Sequence, residues 1–132
     1  MAVATPGDVA TETLSVTRDL IEAYASLTGD DNPLHLDETY AASGLFDGTI
    51  AHGMLSAGVI SAALAALPGD IIYVAQDLQF EAPVYPGETV SATVEVVESL
   101  DGGRLRVETV AETEVNTVIT GEAVVLSLAH DG

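Results

Sequence analysis

An aspartate and a histidine five positions apart, Asp30 and His35, are the residues of this chain best suited to moving a proton. They lie in "GDDNPLHLD", Gly29 to Asp37, in a chain that has only three histidines. Pro33 pinches the segment between them, and a turn there brings both side chains to one water molecule. A carboxylate and an imidazole on one water can take its proton and deliver a proton to a neighbouring atom, which is general acid–base chemistry. Each residue also has a plainer reading. Asp30 is a turn cap, as aspartates before turns commonly are, and His35 is a structural histidine ahead of a helix cap at Asp37. Asp31 reads as solvated surface. Asn32 reads as a supporting residue that fixes the loop by bonding backbone, not as a reactant. The chain has no cysteine, which excludes thiolate nucleophiles, disulfides and cysteine-ligated metal. Asp30 and His35 have no second histidine nearby in sequence, so no metal-ligand set is visible.

The elements that must hold these residues follow from periodicity. "TRDLIEAYASLTG" predicts a helix with Thr17 as N-cap, Asp19 in the first turn, Leu20, Tyr24 and Leu27 on one face, and Gly29 as the stop. "LDETYAASG" predicts a second, short helix from the Asp37 cap to Gly44. The proton-moving loop therefore hangs between two helices. From Gly48 to Gly69 there is no Asp, Glu, Lys or Arg. The helical part, about Gly53 to Leu67, falls short of the ~20 residues a bilayer requires. It is expected instead to be one helix, apolar all round and buried in the centre of the domain. His52, just before it, reads as structural, and His130 as part of a frayed tail. Strand periodicity follows. Ile72, Val74, Leu78 and Phe80 share one face of "IIYVAQDLQFEA", and Val90, Ala92, Val94 and Val96 share one face of "TVSATVEVVE". "RLRVETVAE" and "VITGEAVVLSL" complete roughly four long strands after the helix, and a short strand is expected near Glu12 to Val16. One α+β domain over residues 1–132, an antiparallel sheet wrapped around one long apolar helix, satisfies this order.

The run "YASLTGDDNPLHLDETYAAS", then "GTIAHGMLSAGVIS", resembles the hydratase signature of the MaoC-like (R)-specific enoyl-CoA hydratases, and "FEAPVYPGETVSATVEV" resembles the strand–turn–strand that follows it in that family. The resemblance covers about Thr17 to Leu128. It implies a hot-dog fold, a homodimer with residues of the interface in the active site, and hydration of trans-2-enoyl-CoA to (R)-3-hydroxyacyl-CoA. Coenzyme A is then part of the substrate, and no separate cofactor or metal is implied. By resemblance Asp30 and His35 are the catalytic pair that binds and activates water, with acid and base roles undivided. The same resemblance implies that the Gly53 N–H forms the oxyanion hole for the thioester carbonyl and that Ser61 gives a supporting hydrogen bond. The residues themselves agree. Gly53 opens a helix, where N–H groups are unpaired and a glycine lets a ligand approach. The alternative for Gly53 is close helix–sheet packing. "GLFDGTIAHGM" and the helix after it are expected to line the acyl pocket.

The charge balance excludes one class of partner and raises a question. There are 21 acids against three arginines, with no lysine, for a net charge of -18. Nucleic-acid binding needs cations at the phosphates and is excluded. The start "MAVATPGDVATET" has neither a basic stretch nor an apolar run, so no signal peptide is read and a cytoplasmic location is expected. The missing lysines favour adaptation to a salt-rich cytoplasm over simple acidity. Arg104 and Arg106 point to one strand face, either toward the coenzyme A phosphates or, the preferred reading, balancing Glu95 and Glu112. Two other functions fit a hot-dog fold: acyl-CoA hydrolysis, and acyl-thioester binding without catalysis. The joint presence of Asp30, Asn32 and His35 favours hydration over both.

Overall fold

The computed structural model describes residues 2–129; His130 lies outside them. The chain runs β1 (Val9–Ser15), α1 (Arg18–Thr28), α2 (Pro33–Leu36), α3 (Glu38–Ala42), α4 (Gly53–Ala65), β2 (Asp70–Gln76), β3 (Gln79–Phe80), β4 (Thr89–Ser99), a 3₁₀ turn (Asp101–Gly103), β5 (Arg104–Glu112) and β6 (Thr117–Leu128). The strands form one antiparallel sheet in the order β1-β4-β5-β6-β2, with β3 also on β6. Its inner face is the one the alternation of β4 and β5 foretells. Val90, Ala92, Val94 and Val96 of β4, with Leu105, Val107 and Ala111 of β5, are buried against Ile60, Ala63 and Leu64 of α4. Fully burying Ile60 and Leu64 contributes roughly 1.5–3 kcal/mol each.

Three expectations are corrected. α4 is apolar all round, but the sheet curls about one side of it only. Met54, Gly58, Ser61, Ala62 and Ala65 are exposed on its other side. In α1 the buried positions are Ile21 and Ala25, while Leu27 faces solvent. The segment read as one long strand is split into β2 and β3. At the break the Asp77 N–H donates to the Glu122 carbonyl (2.9 Å), and the Glu122 N–H donates to Asp77 Oδ1 (3.1 Å). A Cβ on Gly121 would lie 2.1 Å from the Asp77 carbonyl oxygen, so this glycine makes room for the crossing. Ile72 and Val74 of β2, an edge strand, are exposed, as is Phe80 of β3.

The cations are settled by register. A bulge between Val96 and Glu98 places Glu98 opposite Arg106, and the two form an ion pair. Neither Glu95 nor Glu112 is its partner. Glu95 lies instead opposite Glu108, which lies opposite Glu122, so three glutamates stand in line across β4, β5 and β6 on the exposed face. Like charges directly opposite on a sheet are destabilising. Replacing the middle one, Glu108→Gln, is expected to raise Tm by roughly 2–5 °C in dilute buffer. The gain should shrink toward zero at about 2 M KCl, where screening falls to a few Å. Thermal melts of both proteins across that salt range check it; a gain independent of salt would mean that the repulsion is not electrostatic.

Candidate active site

The loop between α1 and α3 is fixed almost entirely by local bonds. Thr17 caps α1 through the Leu20 N–H (3.1 Å), and Gly29 ends it with φ 85°, its N–H on the Ala25 carbonyl. The Asp30 N–H donates to the Thr28 hydroxyl (3.3 Å). Asn32 Oδ1 accepts from the Leu34 N–H (3.0 Å), and Pro33 takes the first helical position, where its missing N–H costs nothing. Asp37 then caps α3 through the Tyr40 N–H (3.1 Å). His35 therefore rides on a short helix, α2, that the sequence pattern does not foretell. The capping roles fall to Thr28, Asn32 and Asp37. Among the described residues no hydrogen bond reaches the Asp30 carboxylate, so the turn-cap reading of Asp30 fails and the loop-fixing reading of Asn32 holds.

The run from Thr49 to Gly53 lies across this loop. Its anchor is Glu38, whose Oε1 accepts the Thr49 N–H (3.2 Å), the Thr49 hydroxyl and the Arg18 guanidinium (3.0 Å). The Ala51 N–H reaches the Val84 carbonyl at 2.7 Å. Between these anchors each segment donates one imidazole N–H to a backbone carbonyl of the other. His35 Nδ1–H donates to the Ile50 carbonyl (2.8 Å), and His52 Nε2–H donates to the Asp30 carbonyl (2.8 Å). A carbonyl only accepts, so these bonds fix both tautomers. Among the described residues no hydrogen bond reaches His35 Nε2, the nitrogen able to take or give a proton. The rings stack at 3.9 Å between centroids, 29° apart, with Tyr24 tilted against His52 at 4.6 Å.

A carboxylate oxygen of Asp30 and a ring nitrogen of each histidine lie within 4.8 Å of one another. The sequence reading missed this second histidine. Its signal was present, a lone titratable group in the uncharged stretch from Gly48 to Gly69. The set suits hydrogen bonding better than metal ligation, because the near-parallel rings do not aim their lone pairs at one point.

A cavity of about 270 Å³ opens beside His52, lined by Phe46, Ile50, Gly53, Ser56, Phe80 and Val84 among others. Most of its lining is apolar, and part of it comes from the predicted "GLFDGTIAHGM" stretch. The wall from Phe80 to Val84 was not anticipated. Gly53 begins α4 at its mouth, and a Cβ there would meet the Phe80 ring at 2.7 Å. This contact is the tight packing that the alternative reading of Gly53 expects. The structure does not bring Ser61 to this cavity; α4 carries it on the exposed side, and the buried hydroxyl that lines the pocket is Ser56.

Glu38 gives the site a pH signature. The hydrogen bond from the Thr49 hydroxyl, then the Arg18 guanidinium, hold its carboxyl below the usual glutamate range. A carboxyl lowered by folding stabilises the native state above its unfolded pKa, about 4.3, and that stability is lost as pH falls through the lowered value. Glu38→Gln is therefore expected to melt below the wild type at pH 7 and to converge with it in acid. Melts from pH 7 to pH 3 check this; a constant difference would deny Glu38 the role.

Known proteins resemble the chain along most of its length. The model of the MaoC-like domain family matches residues 3–120. An (R)-specific enoyl-CoA hydratase of Rhodospirillum rubrum is 42% identical over 123 residues, 91% of this chain and 85% of the relative. A 3-hydroxybutyryl-CoA dehydratase of Methylorubrum extorquens is 42% identical over 108 residues, 80% of this chain and 69% of the relative. The solved structure of the (R)-hydratase of Aeromonas caviae, described as involved in PHA biosynthesis, superposes with TM-score 0.89 at 34% identity, covering 96% of this chain and 99% of that one. R-hydratase PhaJ1 of Pseudomonas aeruginosa gives TM-score 0.87 at 38% identity, covering 96% and 83%. With the expected hot-dog arrangement of sheet and helix in place, and with this breadth of similarity, the chain belongs to the MaoC-like domain family.

Proposed function

We propose that this protein is an (R)-specific enoyl-CoA hydratase, adding water to a trans-2-enoyl-CoA to give the (R)-3-hydroxyacyl-CoA. The observation that carries the reading is the pairing of Asp30 and His35 beside the start of α4. Their backbones and spare nitrogen are engaged, while the Asp30 carboxylate and His35 Nε2 remain for a water. Such a water adds its oxygen to C3 of the enoyl group, and a proton is delivered to C2. Negative charge developing on the thioester oxygen is met by the Gly53 N–H, at the positive end of α4. The names of the relatives support this substrate class.

The site is assembled in a homodimer in this reading. The observations behind it are the exposed apolar edge of β2 with Ile72, Tyr73 and Val74, the exposed small-residue side of α4, and an Asp30 that is solvent-exposed in one protomer. A second copy would cover these surfaces and keep bulk water from the reaction. The acid-rich surface supports a cytoplasm of high salt as the working medium, and no helix among the described residues is long and apolar enough to cross a membrane. Supply of (R)-3-hydroxyacyl-CoA for polyhydroxyalkanoate synthesis is one role consistent with this product, and fatty-acid metabolism is another.

The test is loss of the conjugated enoyl band of crotonyl-CoA in high salt. Asp30→Asn and His35→Gln are each expected to lower kcat by at least ~10²-fold while staying folded. Near-normal turnover in either would overturn the assignment, and release of one free thiol for each enoyl band lost would make the protein a thioesterase. Light scattering at assay concentration is expected to give twice the 13.5 kDa chain mass; a monomer that is fully active would contradict the assembled site.

A further inference from the structure

We infer that His52 is a positioning residue of the hydration reaction, holding the catalytic aspartate and the catalytic histidine in register with each other; the inference rests on the function proposed above. Three observations point the same way. His52 sits 22 residues from Asp30 in sequence, on the segment that opens α4, and its Nε2–H donates to the Asp30 carbonyl at 2.8 Å. Its ring lies face to face with the His35 ring at 3.9 Å. The side chain is 2% exposed, and its Nδ1 is buried without a partner.

The last observation argues against a merely structural histidine. Burying an imidazole nitrogen with no donor facing it costs free energy, and a phenylalanine of similar shape would fill the space between Tyr24 and His35 without that cost. What phenylalanine cannot supply is the N–H to the Asp30 backbone. That bond is the direct tie from α4 to Asp30, whose own loop bonds come only from α1 and the adjoining turn. The stacked face does the complementary job. His35 Nδ1–H on the Ile50 carbonyl leaves the imidazole able to swing about that bond, and the His52 plane limits the swing. His52 lines the cavity with its ring, but its one bonded nitrogen is spent on the Asp30 backbone. It sets the distance between the two catalytic groups, and misplacement of reacting groups by about 1 Å can cost ~10²-fold in rate.

The two functions of the ring separate by substitution. His52→Phe keeps a plane against His35 and Tyr24 and loses the N–H; His52→Gln keeps an amide donor and loses the plane. Both are expected to lower kcat for crotonyl-CoA by roughly 10²-fold with KM changed less than about 3-fold. The losses should not add to that of His35→Gln: in the double variant His52→Phe/His35→Gln, removing His52 costs far less than it does alone, since half of what it positions is gone. A readout independent of turnover is two-bond ¹H–¹⁵N NMR of the histidine rings. His52 is expected as the single Nε2–H tautomer and His35 as the single Nδ1–H tautomer in the wild type, with His35 still a single tautomer in His52→Phe, which keeps the plane, and averaging between tautomers in His52→Gln, which loses it. The inference is overturned by a His52 protonated on Nδ1, by kcat within about 3-fold of wild type in either folded variant, or by a loss carried in KM. If the wild type fails to hydrate crotonyl-CoA, the proposed function falls, while the NMR pattern still decides whether His52 ties the two segments together.

Discussion

Two imidazole N–H groups, donating hydrogen bonds in opposite directions between two segments of chain, hold this site together. The loop after α1 offers the Asp30 carbonyl and receives one bond from His52; the run before α4 offers the Ile50 carbonyl and receives one from His35. Neither segment could bury these carbonyls unpaired without cost. The exchange thus satisfies backbone polarity and orients two side chains at once. Everything else near the site serves it. Glu38 fastens Thr49 to α3, Val84 fastens Ala51 to the sheet side, and the caps at Thr17, Asn32 and Asp37 give the loop a single path.

The sheet supplies the weight behind that arrangement. Its inner face is built from short and medium apolar side chains, so α4 can lie close to β4 and β5 and its first turn is fixed in position. The outer face has the opposite character. With three arginines in the chain and one of them turned onto Glu98 by a bulge, the line of Glu95, Glu108 and Glu122 has no cation opposite it. A protein with an ordinary supply of lysine could interleave the signs across those strands, as cross-strand pairing favours. The apolar inner face carries the fold, and the acidic outer face draws against it.

What could be read from the sequence was what local chemistry decides. Thr17, Gly29, Asn32 and Asp37 each act within four residues of themselves, and their roles in the structure are the ones their types suggest. The alternation in β4 fixed its buried face for the same reason, since side chains two apart share a face whatever the partner strand. Long-range placement was not legible. Nothing near His52 in the chain points to Asp30, because the fold, not the spacing, brings them together. The apolar pattern of β2 and of α4 was clear, yet pattern alone does not say whether a second layer lies over it, and in one protomer neither is covered. Register was hidden as well. One extra residue after Val96 decided that Arg106 meets Glu98 and not Val97.

The contact between Gly53 and Phe80 separates the fixed from the movable in this pocket. His35, His52 and the Asp30 backbone are held by bonds to main chain on both sides. Phe80 is 55% exposed and rests on a glycine, with no side chain beneath it to lock its rotamer. Exposed side chains change rotamer in picoseconds to nanoseconds, whereas a loop takes nanoseconds to microseconds to move. Rotation of Phe80 about its Cα–Cβ bond would therefore change this wall of the cavity without disturbing the backbone that aligns the two proton-carrying groups, because no Cβ on residue 53 ties the ring to the start of α4.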